Sequence, residues 1–268
     1  ASIAHAAGSQ VTLIEYGDRA LNGFDADYAQ QVVADMSAKG IQFNFGQAVA
    51  SVTALDNGQY AVETAQGQRF EAEYVMDTTG RVANIDGLGL DTIGVAYDRQ
   101  GVLVNDHLQT NVPNIYASGD VISKPIARLT PTATFESHYI ARVLLGDPTP
   151  ITYPVVPTVA FTLPRVAQVG VTPDEAAQRD DLQVIEIPYG QVMRFQTLND
   201  THAAIKIVLN QKQQLVGAAL IGDFAPEVVN ALVPVINKRY TSDDLKNQIF
   251  AFPTHTGIVL PMIANYLA

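Results

Sequence analysis

The stretch Asn114-Ile115-Tyr116-Ala117-Ser118-Gly119-Asp120-Val121 decides how the rest of this chain is read. An apolar strand is expected here, running into a turn of small residues that delivers one carboxylate at its tip. Glycine lets backbone approach a bulky ligand closely, and Asp120 can accept a hydrogen bond from a ligand hydroxyl. Standing alone, a Gly-Asp pair is more often structural than functional. Its surroundings change the reading.

Downstream, residues 132–145 have the pattern of a helix that ends at Gly146, and Asp147-Pro148-Thr149-Pro150 has linker composition. Upstream, Val11-Thr12-Leu13-Ile14-Glu15 suits a buried parallel strand ending in a carboxylate. Asp25 caps a helix with apolar positions Tyr28, Val32, Val33 and Met36, closed by Lys39-Gly40, and residues 41–45 form the next strand. A helix between two strands is the grammar of a dinucleotide-binding fold. Residues 48–78 read as a meander turning at Asp56-Asn57-Gly58 and Gln66-Gly67. Beyond the linker, strands are expected over 158–161, 184–188, 204–209 and 215–221. Helices are expected over 225–237, 242–249 and 258–266, with a further helix start at Thr172-Pro173-Asp174-Glu175. Strands collected together with helices segregated predict an α+β unit.

Composition narrows the function. The chain has 268 residues, 47% of them hydrophobic, and a net charge of −11. No Lys/Arg block is present, which argues against nucleic acid or an anionic membrane as partner. No apolar run approaches membrane-spanning length, and the expected setting is cytoplasmic. Zero cysteines exclude a disulfide or thiolate metal site within this stretch, and five scattered histidines show no zinc-binding spacing, so no metal is expected.

Three further motifs accompany the opening stretch: Asp77-Thr78-Thr79-Gly80-Arg81-Val82-Ala83-Asn84, Leu129-Thr130-Pro131-Thr132-Ala133, and Val156-Pro157-Thr158-Val159-Ala160-Phe161-Thr162. In this order and spacing the chain resembles the FAD-dependent pyridine nucleotide–disulfide oxidoreductases, such as glutathione reductase, dihydrolipoamide dehydrogenase and mercuric reductase. The resemblance implies α/β dinucleotide-binding portions followed by an α+β interface domain. Residues 1–80 would be the later part of an NAD-binding domain, 81–150 the returning part of an FAD-binding domain, and 151–268 a dimerisation domain. Ala1–Gly8 reads as the last turns of a helix. Together with the missing glycine-rich fingerprints and redox Cys pair of the resembled family, this predicts sequence upstream.

The resemblance also implies site residues. On the flavin side are Gly119, Asp120, Arg128, Leu129 and Thr130, with Asp120 binding the ribitol chain and the Thr130 amide facing the flavin pyrimidine ring. On the NAD(P)H side are Glu15, Val49, Gly80, Arg81 and Val159. A carboxylate at Glu15 suits ribose hydroxyls and repels a 2′-phosphate, which favours NADH; the alternative is a solvated strand end. Arg19, the nearest arginine, is expected to pair with Asp18 or solvent. For Arg81 a plain salt bridge at a domain boundary fits equally well.

Disulfide reductases of the resembled family usually carry His-Pro-Thr near the C-terminus, then Glu three residues later, as a proton-shuttling dyad. Here the matching residues are Phe252-Pro253-Thr254 and Gly257, so neither half can titrate. His255 is the only histidine near, and it suits a helix start or interface as well as a catalytic role. The expected function is therefore an FAD-dependent oxidoreductase fed by NAD(P)H and acting as a homodimer. Its outlet is a disulfide or another small-molecule acceptor such as a metal, oxygen or a quinone. The alternative is an inert dimerisation module.

Overall fold

The computed structural model describes residues Ala1–Ala268. Backbone contacts divide them into two compact units: Ala1–Val75 with Pro157–Ala268, and Met76–Val156. No helix is long and apolar enough to cross a membrane.

The first unit opens with helix α1 (Ser2–Ala6), strand β1 (Thr12–Ile14), helix α2 (Ala26–Ala38) and strand β2 (Gln42–Asn44). β1 and β2 pair in parallel, Thr12 opposite Gln42, giving the expected βαβ arrangement. The strand is less buried than its apolar run implies: Thr12 is exposed, and Leu13 and Ile14 are half-buried. A two-stranded sheet leaves each strand an open edge. The Asp25 carboxylate accepts the Tyr28 N–H at 3.1 Å, which fixes where α2 starts. Its buried residues Tyr28, Ala29, Val32 and Met36 fall on one helical face. Strands β3 (Val49–Ala54), β4 (Tyr60–Thr64) and β5 (Arg69–Ala72) form the antiparallel meander anticipated from the two glycine turns.

The second unit is loop-rich. It contains the hairpin of β6 (Tyr97–Asp98) and β7 (Gly101–Val102), and helix α3 (Thr130–Leu144). Residues 114–117 do not form the expected strand. Tyr116 makes one antiparallel bridge to Gln109. Bonds from Thr110 N–H to Ile115 O and from Ala117 N–H to Leu108 O close a short loop instead. An extended run becomes a strand only where a partner continues alongside it, and this loop supplies three residues. Leu108, Ile122 and Tyr139 form the unit's core.

The first unit resumes with β8 (Thr158–Ala160), β9 (Val166–Gly170), α4 (Pro173–Ala176), β10 (Leu182–Ile187), α5 (Met193–Thr197), β11 (Ala204–Asn210) and β12 (Leu215–Ile221). Helices α6 (Ala225–Lys238), α7 (Ser242–Lys246) and α8 (His255–Ala264) follow. The sheet runs β10-β11-β12-β9-β8, all antiparallel. β9 was not foreseen: its run is short and interrupted by Gln168. At Thr172 the expected cap is a full capping box with Glu175. α8 starts three residues earlier than the apolar run suggests, because the Thr254 hydroxyl accepts the Gly257 N–H.

One face of this sheet packs on α2, where Tyr28, Val32, Met36 and Ile41 meet Val166, Ala204, Ala219 and Ile221. Each of the Val, Ile and Met side chains contributes roughly 1.5–3 kcal/mol on full burial. A charge sits at this seam. Lys206 of β11 reaches Asp25 at 3.0 and 3.1 Å and Asp27 at 2.5 Å. Beside it, the Tyr28 hydroxyl donates to Glu186 at 3.1 Å. Burial opposes the charge on Lys206, but hydrogen bonds to Asp27 and Asp25 outweigh it and raise its pKa.

Candidate functional site

In the second unit, Gly119–Val121 forms a single 3₁₀ turn rather than the end of a strand. Gly119 holds φ +77°, and a Cβ added there would lie 3.3 Å from Ala133 Cβ, so glycine suits both the backbone and the packing against α3. The turn leaves the Asp120 side chain 48% exposed. α3 begins at Thr130 with Pro131 in its first turn, and no side chain caps it. An uncapped helix start presents free N–H groups and the positive end of the helix dipole. The hydroxyl of Thr132, in the same turn, is buried and has no hydrogen-bond partner.

Arg81 joins this group. Its guanidinium contacts the Asp120 carboxylate at 3.1 Å and the Arg128 carbonyl at 3.4 Å. The sequence reading placed Arg81 on the NAD(P)H side and Asp120 on the flavin side, yet the two side chains pair. Both are largely solvent-exposed, so the pair adds little stability. Gly80 before it has φ +132°. Arg128 donates to the Gln100 carbonyl, and Leu129 is the residue preceding α3.

Glu15, Val49 and Val159 lie in the first unit. Glu15 follows β1; one carboxylate oxygen accepts the Gly17 N–H at 2.8 Å, and the other accepts no protein hydrogen bond. Val49 opens β3 opposite Thr64 and is exposed. Val159 pairs with Ala167 in the edge strand β8. Arg19 does not bind Asp18. It donates to the carbonyls of Phe24 and Asn22, each at 3.1 Å, and lies 3.8 Å from Asp174.

At the C-terminal motif, Phe252 is 82% exposed. Gly257 has no room for a side chain: a Cβ would come within 2.5 Å of the Ala251 carbonyl and 2.7 Å of the Thr254 hydroxyl. His255 is the first residue of α8, stacked on Phe224 with ring centroids 3.5 Å apart and edge-on to Phe195 at 5.0 Å. Its Nε2 is buried without a partner. Burial first, and the charge of Arg194 second, depress its pKa below the usual 6.5. The unfolded chain therefore binds more protons at His255 just below pH 6.5, and folding stability falls as pH drops through that window. Replacing His255 by Phe is expected to flatten this part of the stability–pH profile, measured by urea unfolding.

One residue at this site escaped sequence reading. Glu136 of α3 is fully buried, and its carboxylate accepts the Gly119 N–H at 2.6 Å. The signal was present: Thr132, Glu136 and Tyr139 recur at the spacing of one helix face, and all three are buried. A charge at the centre of such a stripe demands a partner.

Two parts of the chain match one known family. Residues 1–137 match the pyridine nucleotide-disulphide oxidoreductase family, and residues 156–262 match the dimerisation domain of the same family. A dihydrolipoyl dehydrogenase from Chlamydia muridarum is 32% identical over 257 residues, covering 95% of this chain and 54% of the relative. A glutathione reductase from Burkholderia cepacia is 32% identical over 261 residues, covering 95% and 57%. Among solved structures, LpdA from Mycobacterium tuberculosis superposes with a TM-score of 0.88 at 23% identity, over 98% of this chain and 57% of that one. The flavoprotein disulfide reductase RclA from Escherichia coli gives 0.84 at 24%, over 96% and 59%. The chain thus spans about half the length of the curated relatives it matches. Matched over half its length by the first family domain and over most of the remainder by the second, the chain belongs to the pyridine nucleotide-disulphide oxidoreductase family.

Proposed function

We propose that this chain carries part of the FAD site and part of the NAD(P)H site of an oxidoreductase that takes hydride from NAD(P)H, with NADH favoured. Members of the family use FAD and NAD(P)H. The observation that carries the reading is the exposed Asp120 carboxylate on a glycine turn beside the uncapped start of α3. The unpartnered hydroxyl of Thr132 in the same helical turn is consistent with this reading. These groups fit a flavin. Asp120 accepts from the ribitol hydroxyls, and the Thr130 amide donates toward the pyrimidine ring. Bound there, FAD supplies the ring that accepts hydride. The residues' own task is to orient that ring and to favour negative charge on it through the dipole of α3. Gly119, Arg128 and Leu129 complete the flavin side by backbone shape.

We assign Glu15, Val49, Gly80, Arg81 and Val159 to NAD(P)H. The free oxygen of Glu15 suits a ribose hydroxyl, and its charge repels a 2′-phosphate. Charge-assisted hydrogen bonds of this kind contribute about 1.5–3 kcal/mol. Glu15→Ala is expected to lower kcat/KM for NADH by roughly ten- to hundredfold and to leave NADPH turnover nearly unchanged. A wild-type protein that prefers NADPH would defeat the assignment.

The division into residues 1–80, 81–150 and 151–268 is kept as the functional one. We further infer a homodimer through the last region. The match to a dimerisation domain supports this, as do the exposed side chains of Met193, Ile249 and Phe252. A second reading of the outlet is favoured by the C-terminal motif. Phe252 cannot titrate and Gly257 cannot be replaced by Glu without a clash, which favours an acceptor other than a disulfide.

A further inference from the structure

We propose that Glu136 is a positioning residue for the flavin, fixing the Gly119–Asp120 turn through its backbone; the inference rests on the flavin reading above. A carboxylate with no exposed surface is costly to bury unless donors surround it. Three donors do. Gly119 N–H lies at 2.6 Å, the Tyr153 hydroxyl at 2.7 Å, and the Lys124 ammonium is in direct contact. Tyr153 and Lys124 close the pocket, with the Lys124 nitrogen 5.2 Å from the Tyr153 ring and the Phe135 ring 5.9 Å from it on centroids.

The choice of donors separates two roles for this carboxylate. Neutralising Lys124 would need only a charge near its ammonium. Glu136 instead spends one oxygen on the amide of the single residue whose left-handed backbone aims the turn. Asp120 is the next residue, so the peptide held by Glu136 sets the direction in which the Asp120 carboxylate leaves the backbone. Gly119 also packs against Ala133 of the same helix that carries Glu136. The turn and the start of α3, the two proposed flavin contacts, are thereby locked to each other rather than placed independently. Glu136 needs no contact with the cofactor to do this.

The test compares three variants of the full-length gene product by equilibrium titration of apoprotein with FAD, alongside the thermal midpoint of each apoprotein. Glu136→Gln keeps an oxygen at the length needed to accept the Gly119 N–H. Glu136→Asp keeps the charge but is one methylene too short, and Glu136→Ala removes both. The expected result is FAD affinity within about fivefold of wild type for Gln, and at least about tenfold weaker for Asp and Ala. Should Ala fail to fold, the Gln–Asp contrast decides. Asp binding like wild type while Gln does not would show that charge alone matters, and would overturn the inference. So would variants whose thermal midpoints fall while their FAD affinities stay unchanged. A wild-type protein that binds no FAD would remove the flavin reading itself, an outcome distinct from wild type binding and all three variants binding equally well.

Discussion

Replacing Lys206 by Met is expected to cost the protein about 3–5 kcal/mol of folding stability at neutral pH. The side chain lies at the seam where α2 meets the five-stranded sheet, bonded to Asp25 and Asp27 with its ammonium 4.9 Å from the Tyr28 ring. Asp25 is 2% exposed and also caps α2. Methionine fills the volume but leaves that carboxylate buried with only the Tyr28 amide for company. The penalty comes from the stranded charge rather than from any large gain the pair provides. The double variant Asp25→Asn/Lys206→Met keeps a capping side chain and removes both charges, so it should recover much of the loss. Urea unfolding of the two variants measures this. A single-variant loss below about 1 kcal/mol would mean that water reaches the seam and the pair behaves as an exposed one.

Asp120→Ala is expected to weaken FAD binding by about thirtyfold, the equivalent of about 2 kcal/mol for a charge-assisted hydrogen bond. The side chain is exposed and paired only with Arg81, itself exposed, so the substitution should leave the thermal midpoint of the apoprotein nearly unchanged. That combination separates binding from stability. Calorimetric titration of apoprotein with FAD provides the first number and a melting curve the second.

The parts of this fold that were legible in sequence are those where local chemistry decides. Asp25 with Tyr28, Val32 and Met36 specifies α2 by a cap and one apolar face. Asn57-Gly58 and Gln66-Gly67 specify the meander by turns with positive φ at glycine. What was not legible depends on partners distant in the chain. Residues 114–117 look like a strand, yet the loop closed by Leu108 and Thr110 gives them no continuing neighbour. β9 was not anticipated from its short run, yet β12 and β8 flank it. Arg81 and Asp120 are 39 residues apart, and only the fold brings them to 3.1 Å. Glu136 was the avoidable omission. A buried acid on a helix face, like Lys206 inside the apolar strand β11, announces that a polar partner is waiting on another element.

The most direct measurement is an anaerobic titration of the full-length, FAD-loaded protein with NADH, followed by the visible absorbance of the flavin. Loss of that absorbance as NADH is added, with NADPH markedly less effective, is the predicted result. A purified protein that takes up no flavin, or a flavin band unchanged by either nucleotide, would contradict it.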